Sequence, residues 1–273
     1  MPEGPELRIM SDFISQKVKD ITFKSFYKVE KNNTQSNPDT SISDFLITPL
    51  SYGKTLYLHL HNETQYVPVY IFMGMNGNWD WVETKNWESS NKFIRLRLES
   101  NEGHSLILYG GYMGPKWSLK AFTSKRGFDP TKEFEMFKKS IIDNLNKRAF
   151  DIPICESLLN QGYFNGIGNY LRSTILYYLK TDPFKSARET IQDNPEILEL
   201  CAEIPIISYH FNGGQLRDWK NPLGKNSDEF HKWVYYQKGL SCKDRFGRTF
   251  WFDPKWESSC PYPIKNNKLE YAE

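Results

Sequence analysis

Phe164-Asn165-Gly166-Ile167-Gly168-Asn169-Tyr170-Leu171-Arg172 sets two glycines in a tight turn and then opens a run of helical period. Glycines there let backbone N–H groups approach a phosphate, and a helix beginning at Asn169 aims its positive end at the same place. Asn169 can cap that helix or donate to a phosphate oxygen. A plain packing turn between two helices explains the stretch equally well, and both readings stay open on these residues alone. Outward from it the pattern is helical. Phe134, Phe137, Ile141, Ile142 and Leu145 mark one apolar stripe, and further helical segments are read around 154–160, 169–180, 194–203 and 227–236.

Upstream of Arg126-Gly127-Phe128-Asp129-Pro130 the period changes from helical spacing to alternation. After a short helical pattern in Leu7–Val18 come Thr55–His61, Tyr66–Phe72, Phe93–Leu98 and Ser105–Tyr109, separated by turn signals such as Asn76-Gly77-Asn78 and Asn101-Glu102-Gly103. The fold class is therefore α+β in two domains. Residues 1–128 read as a β-sandwich with an N-terminal helix, and residues 129–273 as a helical domain. Near the end, Asp244–Phe252 reads as a hairpin around Phe246-Gly247.

Composition bounds the function without naming it. With 39% hydrophobic and 25% charged residues, the chain falls among globular proteins, and its longest apolar stretches are strand-sized, far from the roughly 18 residues a bilayer requires. A formal net charge of +2 neither announces nor excludes a nucleic-acid partner. The opening Met1-Pro2-Glu3-Gly4-Pro5-Glu6 has no secretory pattern, and Cys155, Cys201, Cys242 and Cys260 are too dispersed for a disulfide scaffold. An intracellular protein that is not secreted and makes no use of a membrane is expected. With no CxxC, HxxxH or HExxH, a metal site is disfavoured.

The hexamer at the start holds the most chemistry. If Met1 is removed, Pro2 becomes a secondary amine, and an N-terminal amine with a pKa near ~8 is far more often neutral at pH 7 than a lysine. Such an amine attacks a sugar or carbonyl carbon and goes on to an iminium, an electron sink for elimination next door. Glu3 and Glu6 follow, and the adjacent carboxyl can exchange a proton with the reacting centre. The plainer reading is that both acids complement a helix dipole. Three further candidates need context. Arg245 and Arg248 flank a hairpin tip among aromatics, suited to bidentate grip of phosphate or simply an exposed basic turn. Lys54 lies in Tyr52-Gly53-Lys54-Thr55 before a strand, as a cation for an anionic substrate or an ordinary turn lysine. Met75 in Met73-Gly74-Met75-Asn76 is either an apolar wedge or a buried methionine.

Together these residues resemble the Fpg/Nei family of DNA glycosylases, in its Nei-like branch with a zincless finger, over nearly the whole chain. Met1–Glu6 matches the family's opening, Tyr52–Thr55 its lysine turn, and Ala149–Arg188, with Pro153-Ile154-Cys155-Glu156 and Asn165–Arg172, its helix–two-turn–helix segment. The resemblance implies a bifunctional glycosylase with AP lyase activity on oxidised pyrimidines, hydantoins and formamidopyrimidines. Pro2 would attack C1′ of a flipped nucleotide, Glu3 would help open the sugar, and β,δ-elimination would cut the strand. Lys54, Gly168, Asn169 and Arg248, with Arg245, would hold backbone phosphates, and Met75 would fill the hole left by the flipped base. Damaged DNA is the implied partner, in a DNA-containing compartment such as a nucleus. The chain is expected to act as a monomer without a cofactor.

Three departures from the family pattern shape the expectations. The places of a CxxC…CxxC zinc finger read Cys242-Lys243-Asp244-Arg245 and Asp253-Pro254-Lys255-Trp256, so a metal-free hairpin over about 238–258, held by Phe250, Trp251, Phe252 and Trp256, is expected. The intercalation loop reads Tyr109-Gly110-Gly111-Tyr112-Met113-Gly114, without the family's arginine and phenylalanine, which leaves Tyr112 or Met113 as substitute wedges. Thr174 stands where a carboxylate is usual. A non-cleaving DNA-damage binding protein and a zinc-dependent structural module are the rival readings.

Overall fold

The structure is a computed structural model that describes residues 2–30, 34–38, 42–88, 93–121, 126–214 and 240–266. Met1, the helix expected at 227–236, and residues 238 and 239 of the expected finger lie outside the described residues. The chain divides into two compact units, Met1–Pro2 with Glu6–Ser124, and Glu3–Pro5 with Lys125–Glu273.

The first unit carries most of helix α1 (Gly4–Val18), which starts three residues before the apolar pattern does because Gly4 and Pro5 suit a first turn. Its Leu7, Met10, Ile14 and Val18 are buried at helical spacing. The strands that follow are β1 (Phe23–Val29), β2 (Gln35–Ser36), β3 (Leu46–Tyr52), β4 (Thr55–His61), β5 (Tyr66–Phe72), β6 (Asn78–Glu83), β7 (Ile94–Ser100), β8 (His104–Tyr109) and β9 (Lys116–Ser118). Among the described residues they form two antiparallel sheets, ordered β2-β1-β7-β8-β6 and β3-β4-β5-β9.

Period-2 alternation explains the burial. Leu56, Leu58 and Leu60 of β4 are buried while Tyr57, His59 and His61 are partly exposed. The two sheets touch where Trp117 of β9 packs on Phe26 of β1 with ring centroids 5.3 Å apart and donates its indole N–H to the Arg95 carbonyl at 3.0 Å. Phe23 and Phe45, stacked at 5.9 Å and joined by backbone bonds, close the same seam.

The second unit is built from α2 (Phe134–Asn144), α3 (Ile154–Ser157), α4 (Asn169–Leu179), α5 (Ala187–Asp193) and α6 (Ile197–His210), followed by β10 (Leu240–Lys243), β11 (Thr249–Phe252) and β12 (Ile264–Asn266) in the order β11-β10-β12. The helix read at 154–160 is a single turn, since Leu158 and Leu159 continue as turns into the Gly-rich segment. Helix α5, too polar for a stripe, begins at a cap in which the Ser186 hydroxyl accepts the Glu189 N–H at 3.2 Å. One core runs through helices and hairpin alike, with Phe137, Phe150, Phe164, Leu171, Ile175, Cys201, Phe250 and Phe252 all buried.

Leu58 sits at the centre of β4, opposite Pro49 and Val69, with no exposed surface. Leu58→Ala is expected to cost about 3 kcal/mol of unfolding free energy, read from the midpoint shift in urea at unchanged slope.

Candidate functional site

The site residues fall in both units, and within each the fold explains how they are held. In the second unit the N-terminal tripeptide Glu3–Pro5 is fixed against the Gly-rich turn. Gly4 N–H donates to the Gly166 carbonyl at 2.9 Å, and the approach is so close that a Cβ on Gly4 would meet Gly166 Cα at 3.4 Å. Gly166 itself has φ +98°, the left-handed region that glycine adopts without strain.

Glu3 is 2% exposed, and its carboxylate accepts the Tyr170 N–H at 3.1 Å and the Leu171 N–H at 3.3 Å. These are orphan donors of the first turn of α4, so the anion at this helix N-terminus is the protein's own glutamate. The N–H groups of Tyr170 and Leu171 are therefore engaged by Glu3.

Gly168 is the N-cap of α4, in extended conformation, and Asn169 is its first helical residue rather than its cap. The Asn169 amide donates to the Thr249 carbonyl at 2.8 Å, and its Oδ1 accepts from Arg172 at 2.7 Å. Asn169 therefore ties α4 to the hairpin.

The hairpin turn is organised by charge as well as by aromatics. Asp244 is buried. Its Oδ1 accepts the N–H groups of Phe246 and Arg248, both at 2.9 Å, and its Oδ2 pairs with the fully buried guanidinium of Arg172 at 2.8 Å. Arg172 also donates to the Cys155 carbonyl at 2.9 Å and lies 5.0 Å above the Phe250 ring. Buried Glu156 pairs with Arg245 at 2.6 Å and accepts the Tyr262 hydroxyl; burial, first, and then this bond push the Tyr262 phenol up, so it remains a neutral donor. Both hairpin arginines are exposed; Arg245 is engaged by Glu156, whereas Arg248 makes no ion pair with a described residue.

Of the four aromatics expected to hold the hairpin, Phe250 and Phe252 are buried in the core and Trp256 packs partly buried against it. Phe250 and Phe252 stack at 5.9 Å, and Phe184, a residue the sequence reading passed over, meets both edge-on. Trp251 alternates to the other face of β11. Cys242 is buried beside Cys260, and burial, with Cys260 adding to it, pushes its thiol up to about 12. It is a thiol at neutral pH. Among the described residues no group of three or more His, Cys, Asp and Glu is placed to hold a metal ion.

In the first unit, Lys54 is buried in the β3–β4 turn next to Gly53, whose φ is +51°. Glu6 is buried in α1. Met75 is 56% exposed, not buried, at the tip of the β5–β6 loop, and its N–H donates to the Met113 carbonyl at 3.0 Å. Glycine is required beside it, since Gly74 has φ +63° and a Cβ there would lie 2.3 Å from that carbonyl. The stitch brings Met75 alongside a loop on which Tyr112 is 94% and Met113 61% exposed, Met113 at a left-handed φ of +62°. Three large apolar side chains on joined loops form a projecting patch of the kind that marks an interaction site.

Arg172, Asp244, Glu156 and Tyr262 escaped the sequence reading as a set. The local half was visible, because an aspartate at the start of a Gly-containing turn accepts N–H groups two residues on. Its partner lies 72 positions away. Asp244→Ala leaves the Arg172 charge buried and unpaired, at an expected cost of about 3–5 kcal/mol, while the double variant with Arg172→Met recovers much of it. Thermal unfolding of the two proteins side by side reads the difference.

No family model matches the sequence. The chain is 32% identical to human Endonuclease 8-like 1 (Homo sapiens), and 31% identical to the Mus musculus protein of that name, over 92% of this chain and 72% of each relative. The fold is similar to that of Lactococcus lactis Fpg, solved with DNA containing Fapy-dG, at TM-score 0.75 and 18% identity, over 93% of this chain and 99% of that one. The same protein solved with DNA containing an oxidised pyrimidine aligns at TM-score 0.74 over the same shares. Identity to the endonuclease 8-like relatives along almost the whole sequence, on an Fpg fold, shows that the chain belongs to the Fpg/Nei family of DNA glycosylases, on its Nei-like side.

Proposed function

We propose that this chain is a bifunctional DNA glycosylase with AP lyase activity, acting in base excision repair on oxidised pyrimidines, hydantoins and formamidopyrimidines. The observation that carries the reading is the anchoring of Glu3 at the N-terminus of α4, which fixes a carboxyl group next to the residue whose amine would be the nucleophile.

Removal of Met1 frees the Pro2 nitrogen. That nitrogen forms a bond to C1′ of the damaged nucleotide while the bond from C1′ to the base breaks; the departing base takes a proton from water, and the Glu3 carboxylate takes the proton released by the Pro2 nitrogen. Opening of the C1′–O4′ bond, with that same proton passed from Glu3 to the ring oxygen, leaves an iminium between Pro2 and C1′. Loss of a C2′ proton into this electron sink expels the 3′ phosphate, and a second elimination expels the 5′ phosphate. Water then hydrolyses the iminium and restores the amine.

Lys54, Arg248 and Asn169 are assigned to backbone phosphates around the lesion, with Gly168 allowing close approach of the strand. Met75 and Tyr112, with Met113, are assigned to the space vacated by the flipped base, supported by their exposure on stitched loops. Glu6 and Arg245 take supporting places, Arg245 through its pair with Glu156. Residues 1–128 form the catalytic domain in this reading, and 129–273, with the metal-free finger, the DNA-gripping domain. The protein acts as a monomer on DNA inside the cell. No helix among the described residues is long and apolar enough to cross a membrane.

Borohydride reduction in the presence of abasic-site DNA is expected to trap a covalent adduct with protein that starts at Pro2, and none with protein whose amine is buried in an N-terminal extension. A non-cleaving damage binder gives no adduct in either case. Glu3→Gln is expected to lower base excision by about 100-fold or more while retaining cleavage of a preformed abasic site, whose sugar already opens to the aldehyde. Quenched-flow assays on the two substrates separate the steps. Arg248→Ala is expected to lower the slope of log K against log salt by roughly 0.9, measured by anisotropy on lesion duplex between 50 and 200 mM salt.

A further inference from the structure

Between the hairpin turn and α3 the second unit contains a cavity of about 540 Å³, lined among others by Arg148, Glu156, Leu159, Arg245, Phe246 and Arg248. Its volume suits a single nucleotide-sized ligand. Three guanidiniums and one carboxylate line it, a formal +2, which equals the net charge of all 273 residues. The carboxylate is already neutralised, because Glu156 is paired with Arg245 at 2.6 Å. Arg148 and Arg248 are exposed and make no ion pair with a described residue, so two cations at the rim await an anion. Phe246 is 56% exposed with the Arg245 guanidinium 4.9 Å from its ring, a cation-backed aromatic face of the kind on which bases stack.

Resting on the DNA reading above, we propose that this cavity receives one nucleotide of a DNA strand, its phosphate held by Arg148 and Arg248 and its base laid on Phe246. Arg148 and Phe246 thereby join Arg248 as DNA-binding residues, and the phosphate assigned above to Arg248 is that of the nucleotide in this cavity. The combination of cations and an exposed aromatic favours a nucleic-acid strand over an acidic peptide, which would have no use for the ring.

The test uses the full chain and an undamaged, fluorescein-labelled oligodeoxythymidylate, followed by anisotropy from 50 to 200 mM KCl. Arg148→Ala is expected to lower the log–log salt slope by roughly 0.7, the share of one phosphate on a single strand. Phe246→Ala is expected to weaken binding roughly tenfold at an unchanged slope, with Phe246→Tyr restoring it. Both positions are exposed, and unchanged melting temperatures establish that the variants fold. Wild-type slope in Arg148→Ala, wild-type affinity in Phe246→Ala, or displacement of the strand by polyglutamate as readily as by unlabelled oligonucleotide each overturns the proposal. Failure of borohydride trapping by the wild-type protein would instead remove the glycosylase reading, so the two failures are told apart.

Discussion

The carboxylate of Glu3 on the backbone N–H groups of Tyr170 and Leu171 is the contact on which the rest of the site depends. A helix N-terminus leaves N–H donors without partners, and burying them unpaired is costly. One acidic side chain from the start of the chain satisfies two of them, across 167 and 168 positions of sequence. This is why residues 3–5 group with the second unit although the remainder of α1 groups with the first. Because the anchor is a charge-assisted pair of hydrogen bonds and not loose packing, the residue before Glu3 inherits a defined position. Precise placement is the property that a nucleophile needs.

Charge also organises the hairpin. A metal finger gathers its turn around one cation with four ligands. Here the buried Arg172 guanidinium stands at a comparable centre, accepted by Asp244 and the Cys155 carbonyl and covered by the Phe250 ring, while Glu156 gathers Arg245 and Tyr262 beside it. Both arrangements cross-link elements that are distant in sequence. The difference is in what a single loss does. A missing zinc ligand weakens one bond of four, whereas a missing Asp244 strands a buried cation, so the protein network has little tolerance for substitution at its centre.

How much of this the sequence disclosed depends on the range of the interaction. Strands β4 and β5 were readable to the residue because alternation and turn residues are local signals. So were the start of α4 and the Gly-rich turn before it. Helix α5 was not, being too short and polar to show a stripe, and α3 was read too long because Leu158 and Leu159 are core residues of a turn. At the site, residue types were legible but partners were not. Asn169 and Arg245 were chosen for phosphate on their chemistry, yet Thr249 and Glu156 already engage them. Met75 was ambiguous between core and wedge, and only its backbone bond to Met113 shows which loop it joins.

The same distinction explains how a chain of formal net charge +2 can belong to a family of DNA-acting enzymes. Total charge measures the average field, which governs long-range steering and is screened within about 10 Å at ordinary salt. Binding to a strand depends on cations held at phosphate spacing and left unpaired. The described structure spends several basic residues on internal pairs, Arg172 on Asp244, Arg245 on Glu156, Lys138 on Glu199, Arg188 on Asp151. Those pairs cancel in the sum, and the buried one, Arg172 with Asp244, joins α4 to the hairpin. Arg148 and Arg248 are exposed and make no ion pair with a described residue, so their charges stay open to a phosphate whatever the total of the chain.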